Sequence, residues 1–352
     1  MLRTSHKKLF VVLLCLMISA GFLADAGCKP VTPDGPDNCT APDNATTPAQ
    51  AYTGVKTFTT IMGRNNDPTD FYYPDGMDSA TRLPIALFLA GGRCGKQFYT
   101  MFAAEVARYG FIVAVPNHYI EYWMGPMFTQ GLFSQAAQMD DYIDYMKAQN
   151  DNSSSPLYKK ADPEKLMMLG HSFGAACVIY AMQNNCIYPF CPEGTAYTRP
   201  AQMKAAALCG INSLPRGKPF DYTIYPTNNM NMPLAFVNGR LDNNAQYAVT
   251  LQSYDLIADP PKMFVSIMGA NHYAMCNVNN PPAPGPGLGN GPGEDPNVPT
   301  ISHEVSSEIA ARWCSLFLRA YGLGDQVARL YVEQTGKCLD KQVEVMIEPP
   351  QQ

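Results

Sequence analysis

The stretch Leu166-Met167-Met168-Leu169-Gly170-His171-Ser172-Phe173-Gly174 decides the fold, and an apolar run over residues 175–182 follows it directly. The order predicts a buried strand, a sharp turn and a helix. A serine in such a turn adopts a strained backbone that lifts its hydroxyl above the sheet, which requires small residues two positions before and after it. Gly170 and Gly174 meet that requirement. We therefore predict a nucleophile elbow carrying Ser172.

A serine hydroxyl is a weak nucleophile, so it needs a base within hydrogen-bond reach and an acid that orients the base. The chain has five histidines, and His272 directly follows the last predicted strand, where the chain order Ser, Asp, His puts the base. His6 lies in the predicted signal segment, His171 adjoins the nucleophile, and His118 comes too early in the chain. His303, at the start of the final predicted helix, is the runner-up.

The acid of this arrangement is expected after the preceding strand. Asp242 follows the apolar run 234–238 and completes the order Ser172, Asp242, His272. Asp255 and Asp259 stay open as alternatives, although they lie in or after the next helix, where carboxylates are usually solvated.

Acyl transfer also needs hydrogen-bond donors for the developing oxyanion. One donor is expected to be the backbone N–H of Phe173 at the start of the helix. The second is expected in Gly91-Gly92-Arg93, after the apolar run 83–90, where glycine lets the backbone come close to a substrate. We favour Gly92, with Arg93 as the alternative.

The rest of the chain predicts an α/β fold. Strand-sized apolar runs lie at residues 55–62, 83–90, 111–116, 166–169, 205–211, 234–238 and 262–268. Helical patterns lie between or after them, at residues 98–109, 130–149, 173–183, 245–257 and 303–321. This alternation is typical of a mostly parallel sheet covered by helices on both faces, here as a single domain over residues 54–322. Residues 280–299 read as a Pro/Gly-rich loop insert, and residues 323–352 as a tail without an assigned role.

The N-terminus predicts secretion. Three cations precede an apolar run and the small residues around Ala26, as in a signal peptide comprising residues 1–26; a lipoprotein modified at Cys28 is the weaker alternative. Residues 27–53 have the composition of a flexible leader. No other stretch is long enough to span a membrane. The chain is 46% hydrophobic, 16% charged and carries a net charge of −5, so nucleic acid is not an expected partner.

Cysteine usage fits that compartment. Of the 11 cysteines, Cys15 lies in the signal segment, and the rest form an even number that predicts several disulfides. Cys186 with Cys191, and Cys28 with Cys39, are the local candidates. No Cys-x-x-Cys pair supports a zinc site, and no metal or cofactor is expected. Glycosylation sequons begin at Asn38, Asn44 and Asn152.

Several of these segments together resemble a family. The runs 83–92, 109–116, 170–174, 232–242 and 269–272 are similar to those of secreted α/β-hydrolases, in particular the cutinase and polyester hydrolase, chlorophyllase and platelet-activating-factor acetylhydrolase group. The resemblance covers about residues 80–320 and implies an α/β-hydrolase fold with a serine esterase activity. Two positions depart from the group: Ala90-Gly91 replaces its common His-Gly pair, and Phe173 replaces the Arg usual in chlorophyllases.

The substrate is expected above the carboxyl edge of the sheet. Three segments expected to be loops there are aromatic or Met-rich, at residues 119–124, 187–190 and 219–225. Because no Lys/Arg cluster accompanies them, they suggest an uncharged, hydrophobic ester, small or polymeric, with Tyr119, Trp123 and Phe220 as pocket residues. The sequence thus predicts a secreted serine carboxylic ester hydrolase that forms an acyl-enzyme. The alternatives are a catalytically silent binding protein of the same fold, or a chlorophyllase or phospholipid acetylhydrolase with a narrow substrate. A peptidase is disfavoured because no residues remain for a second domain, and a dienelactone-type enzyme because the nucleophile is Ser172 rather than Cys.

Overall fold

The computed structural model describes residues 39–78, 80–124, 126–212 and 224–350 of the chain. The predicted signal segment, residues 27–38 of the leader, the first residue of the sequon at Asn38 and the pocket candidate Phe220 lie outside these residues. Within the described ranges, no helix is both long and apolar enough to cross a membrane.

The described residues form strands and helices that alternate along most of the chain. The strands are β1 (Val55–Met62), β2 (Asp67–Pro74), β3 (Leu83–Leu89), β4 (Ile112–Pro116), β5 (Tyr119–Met124), β6 (Met127–Leu132), β7 (Ala161–His171), β8 (Met203–Cys209), β9 (Leu234–Gly239), β10 (Lys262–Ile267) and β11 (Val343–Glu348). The α-helices are α1 (Thr100–Arg108), α2 (Ala137–Asp151), α3 (Phe173–Met182), α4 (Tyr247–Asp255), α5 (His303–Phe317), α6 (Gln326–Leu330) and α7 (Gly336–Leu339).

One large sheet has the strand order β1-β2-β4-β3-β7-β8-β9-β10-β11, and β5 and β6 form a separate antiparallel hairpin. The six central strands in this order, β4-β3-β7-β8-β9-β10, are parallel to one another. Strands β1 and β2 on one side and β11 on the other pair antiparallel. The expectation of a mostly parallel central sheet in an α/β fold is therefore confirmed.

Strand β3 explains why helices cover both faces of this sheet. All of its residues are buried, and successive side chains point to opposite faces. Phe88 belongs to a core cluster with residues of α1 and α5. Leu87 and Leu89 belong to a second cluster, which contains residues of α2 and α3. Each face of the sheet is thus closed by its own helical layer.

The topology reverses between β3 and β7. From β3 the chain crosses through α1 to β4 on one side, whereas from β7 it crosses through α3 to β8 on the other side. Ligands of open α/β sheets bind at such a switch point, beside the carboxyl ends of the two strands. Gly91 and Gly92 follow β3 closely, and Ser172 directly follows β7.

Several elements differ from the predicted ones. The helix expected from Gln130 begins at Ala137, because residues 127–132 form the second strand of the hairpin. The aromatic run at residues 119–124 is a strand, not a loop. Strand β2 was not expected, since its first four residues, Asp67 to Asp70, are proline and polar residues rather than an apolar run.

The ordered chain continues past residue 322, where the sequence suggested the end of the domain. Strand β11 pairs with β10 at the edge of the main sheet. Cys338 forms a disulfide with Cys39, so the local Cys28–Cys39 pairing is wrong. The other disulfide among the described residues is the expected Cys186–Cys191. Five further described cysteines are buried and form no disulfide, contrary to the pairing expected from their even number: Cys94, Cys177, Cys209, Cys276 and Cys314.

Candidate active site

The turn after β7 has the strained geometry of a nucleophile elbow. Ser172 has a backbone φ of +49°, which residues other than glycine seldom adopt. It lies between the last residue of β7 and the first residue of α3. A Cβ atom at Gly174 would lie 2.1 Å from the carbonyl oxygen of Leu89, and one at Gly170 would lie 2.8 Å from Cα of Ala175. Helix α3 therefore approaches the sheet this closely only because both positions are glycine.

An acid and a histidine meet above the ends of β9 and β10. Nδ1 of His272 lies 2.9 Å from Oδ2 and 3.1 Å from Oδ1 of Asp242, and both side chains are buried. Oδ1 of Asp242 also accepts hydrogen bonds from the backbone N–H groups of Asn244, at 2.9 Å, and Ala245, at 2.7 Å. Because the carboxylate accepts the Nδ1 proton, the neutral imidazole of His272 carries its free lone pair on Nε2.

His272 lies beside the elbow. Its ring packs against the ring of His171, the residue before Ser172, with 4.7 Å between the centroids. A Cβ atom at Gly210 would lie 3.1 Å from both rings. Gly210 directly follows Cys209, whose carbonyl oxygen accepts the backbone N–H of Ser172 at 2.9 Å. The structure therefore gathers Ser172, Asp242 and His272 at the carboxyl edge of the sheet.

The alternative acids and base lie in other environments. Asp255 is the last residue of α4, and Asp259 accepts the backbone N–H of Asn231 at 2.9 Å. His303 is the first residue of α5. Of the three candidate acids, Asp242 is thus the one whose described contacts include His272.

The turn after β3 lies next to the start of α3. A Cβ atom at Gly92 would lie 3.4 Å from Cβ of Phe173. The N–H of Arg93 donates to the carbonyl oxygen of Leu132 at 2.6 Å, and the N–H of Gly91 donates to the hydroxyl of Tyr99 at 3.0 Å. Because both flanking N–H groups are engaged, the geometry favours Gly92 over Arg93 as an oxyanion donor.

A buried hydrogen-bond chain connects this turn to the loop of His272. The hydroxyl of Tyr99 lies 2.9 Å from Nδ1 of His171, and Nε2 of His171 lies 3.0 Å from the carbonyl oxygen of His272. A carbonyl oxygen only accepts, so Nε2 of His171 must donate and its Nδ1 must accept from Tyr99. The chain of donors therefore runs from Gly91 N–H to the Tyr99 oxygen, from Tyr99 O–H to His171, and from His171 to the oxygen of His272.

Burial keeps both side chains of this chain neutral. Desolvation lowers the pKa of His171 well below its usual value, and the neighbouring His272 lowers it further. Desolvation raises the pKa of Tyr99, and the thiols of Cys94 and Cys276 raise it further. A neutral imidazole and a protonated phenol are the forms that the hydrogen-bond directions require.

The aromatic residues next to Phe173 differ from the predicted pocket residues. The rings of Phe133, Phe190 and Tyr122 lie 5.0, 4.7 and 6.5 Å from the ring of Phe173, measured between centroids. In β5 the side chains alternate, so Tyr122 faces Phe173, whereas Trp123 is 58% exposed and packs on Phe128. The hydroxyl of Tyr119 lies 3.4 Å from both Glu121 and Gln130. Tyr119 and Trp123 stay predictions as pocket residues.

Among the residues that the structure describes, no three His, Cys, Asp or Glu side chains form a group suited to hold a metal ion. No known protein family matches the chain. A search of curated proteins finds no similar one.

Tyr99 and its hydrogen bond to His171 had no signal in the sequence, because Tyr99 lies 72 residues before its partner.

Proposed function

We propose that this protein is a secreted serine carboxylic ester hydrolase with an α/β-hydrolase fold. The observation that carries the proposal is the strained Ser172 at a strand-to-helix turn, beside a buried Asp242–His272 pair. The three residues follow one another in the order Ser, Asp, His, which is the order of α/β-hydrolase triads.

The proposed reaction starts at Ser172. Nε2 of His272 takes the hydroxyl proton as the oxygen attacks the ester carbonyl, and it later gives this proton to the leaving alcohol. Asp242 holds the ring through Nδ1 and stabilises the imidazolium that forms. The acyl-enzyme on Ser172 is then hydrolysed by a water molecule that His272 activates in the same way.

The oxyanion of the tetrahedral intermediate would be held by the backbone N–H groups of Phe173 and Gly92. The adjacency of Gly92 to Phe173 and the engagement of the neighbouring N–H groups support this pair. Each such donor is worth roughly a hundredfold to a thousandfold in rate. The start of α3 adds the positive end of a helix dipole to the same place.

The surroundings of Phe173 support an apolar, uncharged acyl or alcohol group. Tyr122, Phe133 and Phe190 make an aromatic surface at the start of α3. We infer a hydrophobic ester, either a small molecule or a polymer chain end.

Secretion is part of the proposal. The predicted signal segment supports it, and the disulfides Cys39–Cys338 and Cys186–Cys191 are compatible with it, because disulfides persist in oxidising compartments.

The test is a series of initial rates on p-nitrophenyl esters from acetyl to palmitoyl. We expect turnover by the wild-type protein and a loss of at least about a thousandfold in Ser172→Ala. The matched control is Ser315→Ala, which removes a buried hydroxyl in α5 and should keep the wild-type rate. Turnover retained in Ser172→Ala would refute the proposal, and an inert wild-type protein would favour a catalytically silent binding protein.

A further inference from the structure

The Pro/Gly-rich segment 280–299 contains a buried carboxylate. Asp295 is 1% exposed, although its neighbours Glu294 and Pro296 are exposed and Val298 is 74% exposed. A buried charge is costly unless hydrogen bonds compensate it. The position of Asp295 therefore depends on the groups that donate to it.

Those donors belong to the two loops of the acid–base pair. Oδ2 of Asp295 accepts the backbone N–H of His272 at 2.9 Å and the backbone N–H of Asn243 at 3.2 Å. Asn243 directly follows Asp242 in the chain. One carboxylate oxygen thus joins the main chain of the base to the main chain next to the acid.

Asp295 is itself held in place. The side chain of Asn280 accepts the N–H of Asp295 at 2.8 Å and donates to its carbonyl oxygen at 3.1 Å. Oδ1 of Asp295 accepts the N–H of Asn297 at 2.9 Å. The segment therefore presents a fixed carboxylate to both loops.

Further bonds join the same segment to each loop separately. The side chain of Asn297 donates to the carbonyl oxygen of Leu241 at 2.7 Å, in the loop of the acid. The side chain of Asn271 donates to the carbonyl oxygen of Asn297 at 2.7 Å, and Tyr273 donates to that of Gly293, both from the loop of the base. A movement of residues 293–297 away from the two loops would break all of these hydrogen bonds. This part of the segment therefore holds the loops of Asp242 and His272 together and does not open and close over the site.

We propose that Asp295 is a positioning residue, which sets the alignment of Asp242 with His272 through the main chain of both loops. The role rests on the proposed ester hydrolysis. Asp295 touches backbone N–H groups and not the reacting atoms, so it acts through His272 and Asp242. Its loss leaves two N–H groups beside the catalytic pair without their acceptor, and the two loops shift relative to each other.

The test compares Asp295→Ala and Asp295→Asn with Glu294→Ala and Glu294→Gln. The control pair removes the same charge from the adjacent, exposed position of the same segment. For every variant, kcat is measured per active site, with sites counted by labelling with a fluorophosphonate, and KM is measured on the best p-nitrophenyl ester.

We expect kcat to fall by about tenfold to a hundredfold in Asp295→Ala, since a misplacement of about 1 Å costs that much, while KM stays within about twofold. Asp295→Asn keeps one acceptor oxygen and should recover part of the loss. Glu294→Ala and Glu294→Gln should match the wild type. A merely structural role would reduce the number of active sites and leave kcat per site unchanged.

A second measurement does not depend on turnover. The proton NMR signal of the hydrogen-bonded Nδ1–H of His272, assigned with His272→Gln, should shift or broaden in Asp295→Ala and stay in place in Glu294→Ala. An unchanged signal together with wild-type kcat in Asp295→Ala would overturn the positioning role and leave the proposed hydrolysis intact. A wild-type protein without esterase activity would refute the proposed function and with it a positioning role in hydrolysis, and the NMR comparison would then report only whether Asp295 aligns His272 with Asp242.

Discussion

The substitution Tyr99→Phe tests the buried chain that joins the turn after β3 to the loop of His272. It removes one oxygen atom and keeps the ring, which packs on Phe88 with 4.6 Å between the centroids. The N–H of Gly91 loses its acceptor and Nδ1 of His171 loses its donor, and all three residues are buried.

The expected cost follows from these two orphaned groups. Each buried polar group without a partner costs about 1–3 kcal/mol, so Tyr99→Phe should lower the free energy of unfolding by about 2–6 kcal/mol. The matched control is Tyr142→Phe, whose buried hydroxyl also has two partners: it donates to the carbonyl oxygen of Ile112 and accepts the backbone N–H of Ala86. The control should therefore lose a similar free energy of unfolding, about 2–6 kcal/mol, at a place away from His272.

Urea unfolding at pH 7.5 measures both free energies, and the m values show whether the comparison is valid. We also expect kcat on esters to fall about tenfold in Tyr99→Phe and to stay unchanged in Tyr142→Phe, because the first chain ends at the carbonyl oxygen of His272. A loss of less than about 1 kcal/mol in Tyr99→Phe, or a kcat that falls equally in Tyr142→Phe, would refute the reasoning.

Two further predictions concern the elbow. Burial lowers the pKa of His171, so the unfolded chain binds a proton that the folded protein does not; stability should be complete above about pH 6.5 and fall by up to about 1.4 kcal/mol per pH unit below it. Urea titrations from pH 7 to pH 5 should show this component, and the pH dependence should be less steep in His171→Gln. In Gly174→Ala the new methyl group would lie 2.1 Å from the carbonyl oxygen of Leu89, so α3 must move. We expect the free energy of unfolding, measured by thermal unfolding, to fall by about 1–3 kcal/mol and ester turnover to be lost. Wild-type stability and turnover would show that the close contact of α3 with β3 is not needed.

The central sheet was predictable because its strands are continuous apolar runs, which burial on both faces requires. Residues 83–89 and 112–116 are buried throughout. The turn at Ser172 was predictable for a local reason, since the glycines that it needs lie within two positions of it. In each case neighbouring residues alone determine the geometry.

The remaining features depend on residues that are distant in the chain. Asp295 lies 23 residues after His272 in a segment whose composition predicts only a loop, and the disulfide partners Cys39 and Cys338 are 299 residues apart. No local pattern reports such contacts. Strand β11 was missed because Glu344 and Glu348 interrupt its apolar residues, unlike the continuous apolar runs of the central strands.

The hairpin β5–β6 shows a different limit. Its first strand, residues 119–124, was interpreted from the sequence as an aromatic loop, so the alternation of side chains along a strand was not visible. The faces of Tyr122 and Trp123 follow from that alternation alone.

The most direct test of the central proposal is covalent labelling with a fluorophosphonate, followed by tandem mass spectrometry. The proposal predicts one label per protein molecule on Ser172, loss of ester turnover in proportion to labelling, and almost no label in Ser172→Ala or His272→Ala. Labelling at another residue, or ester turnover that persists after Ser172 is fully labelled, would contradict it.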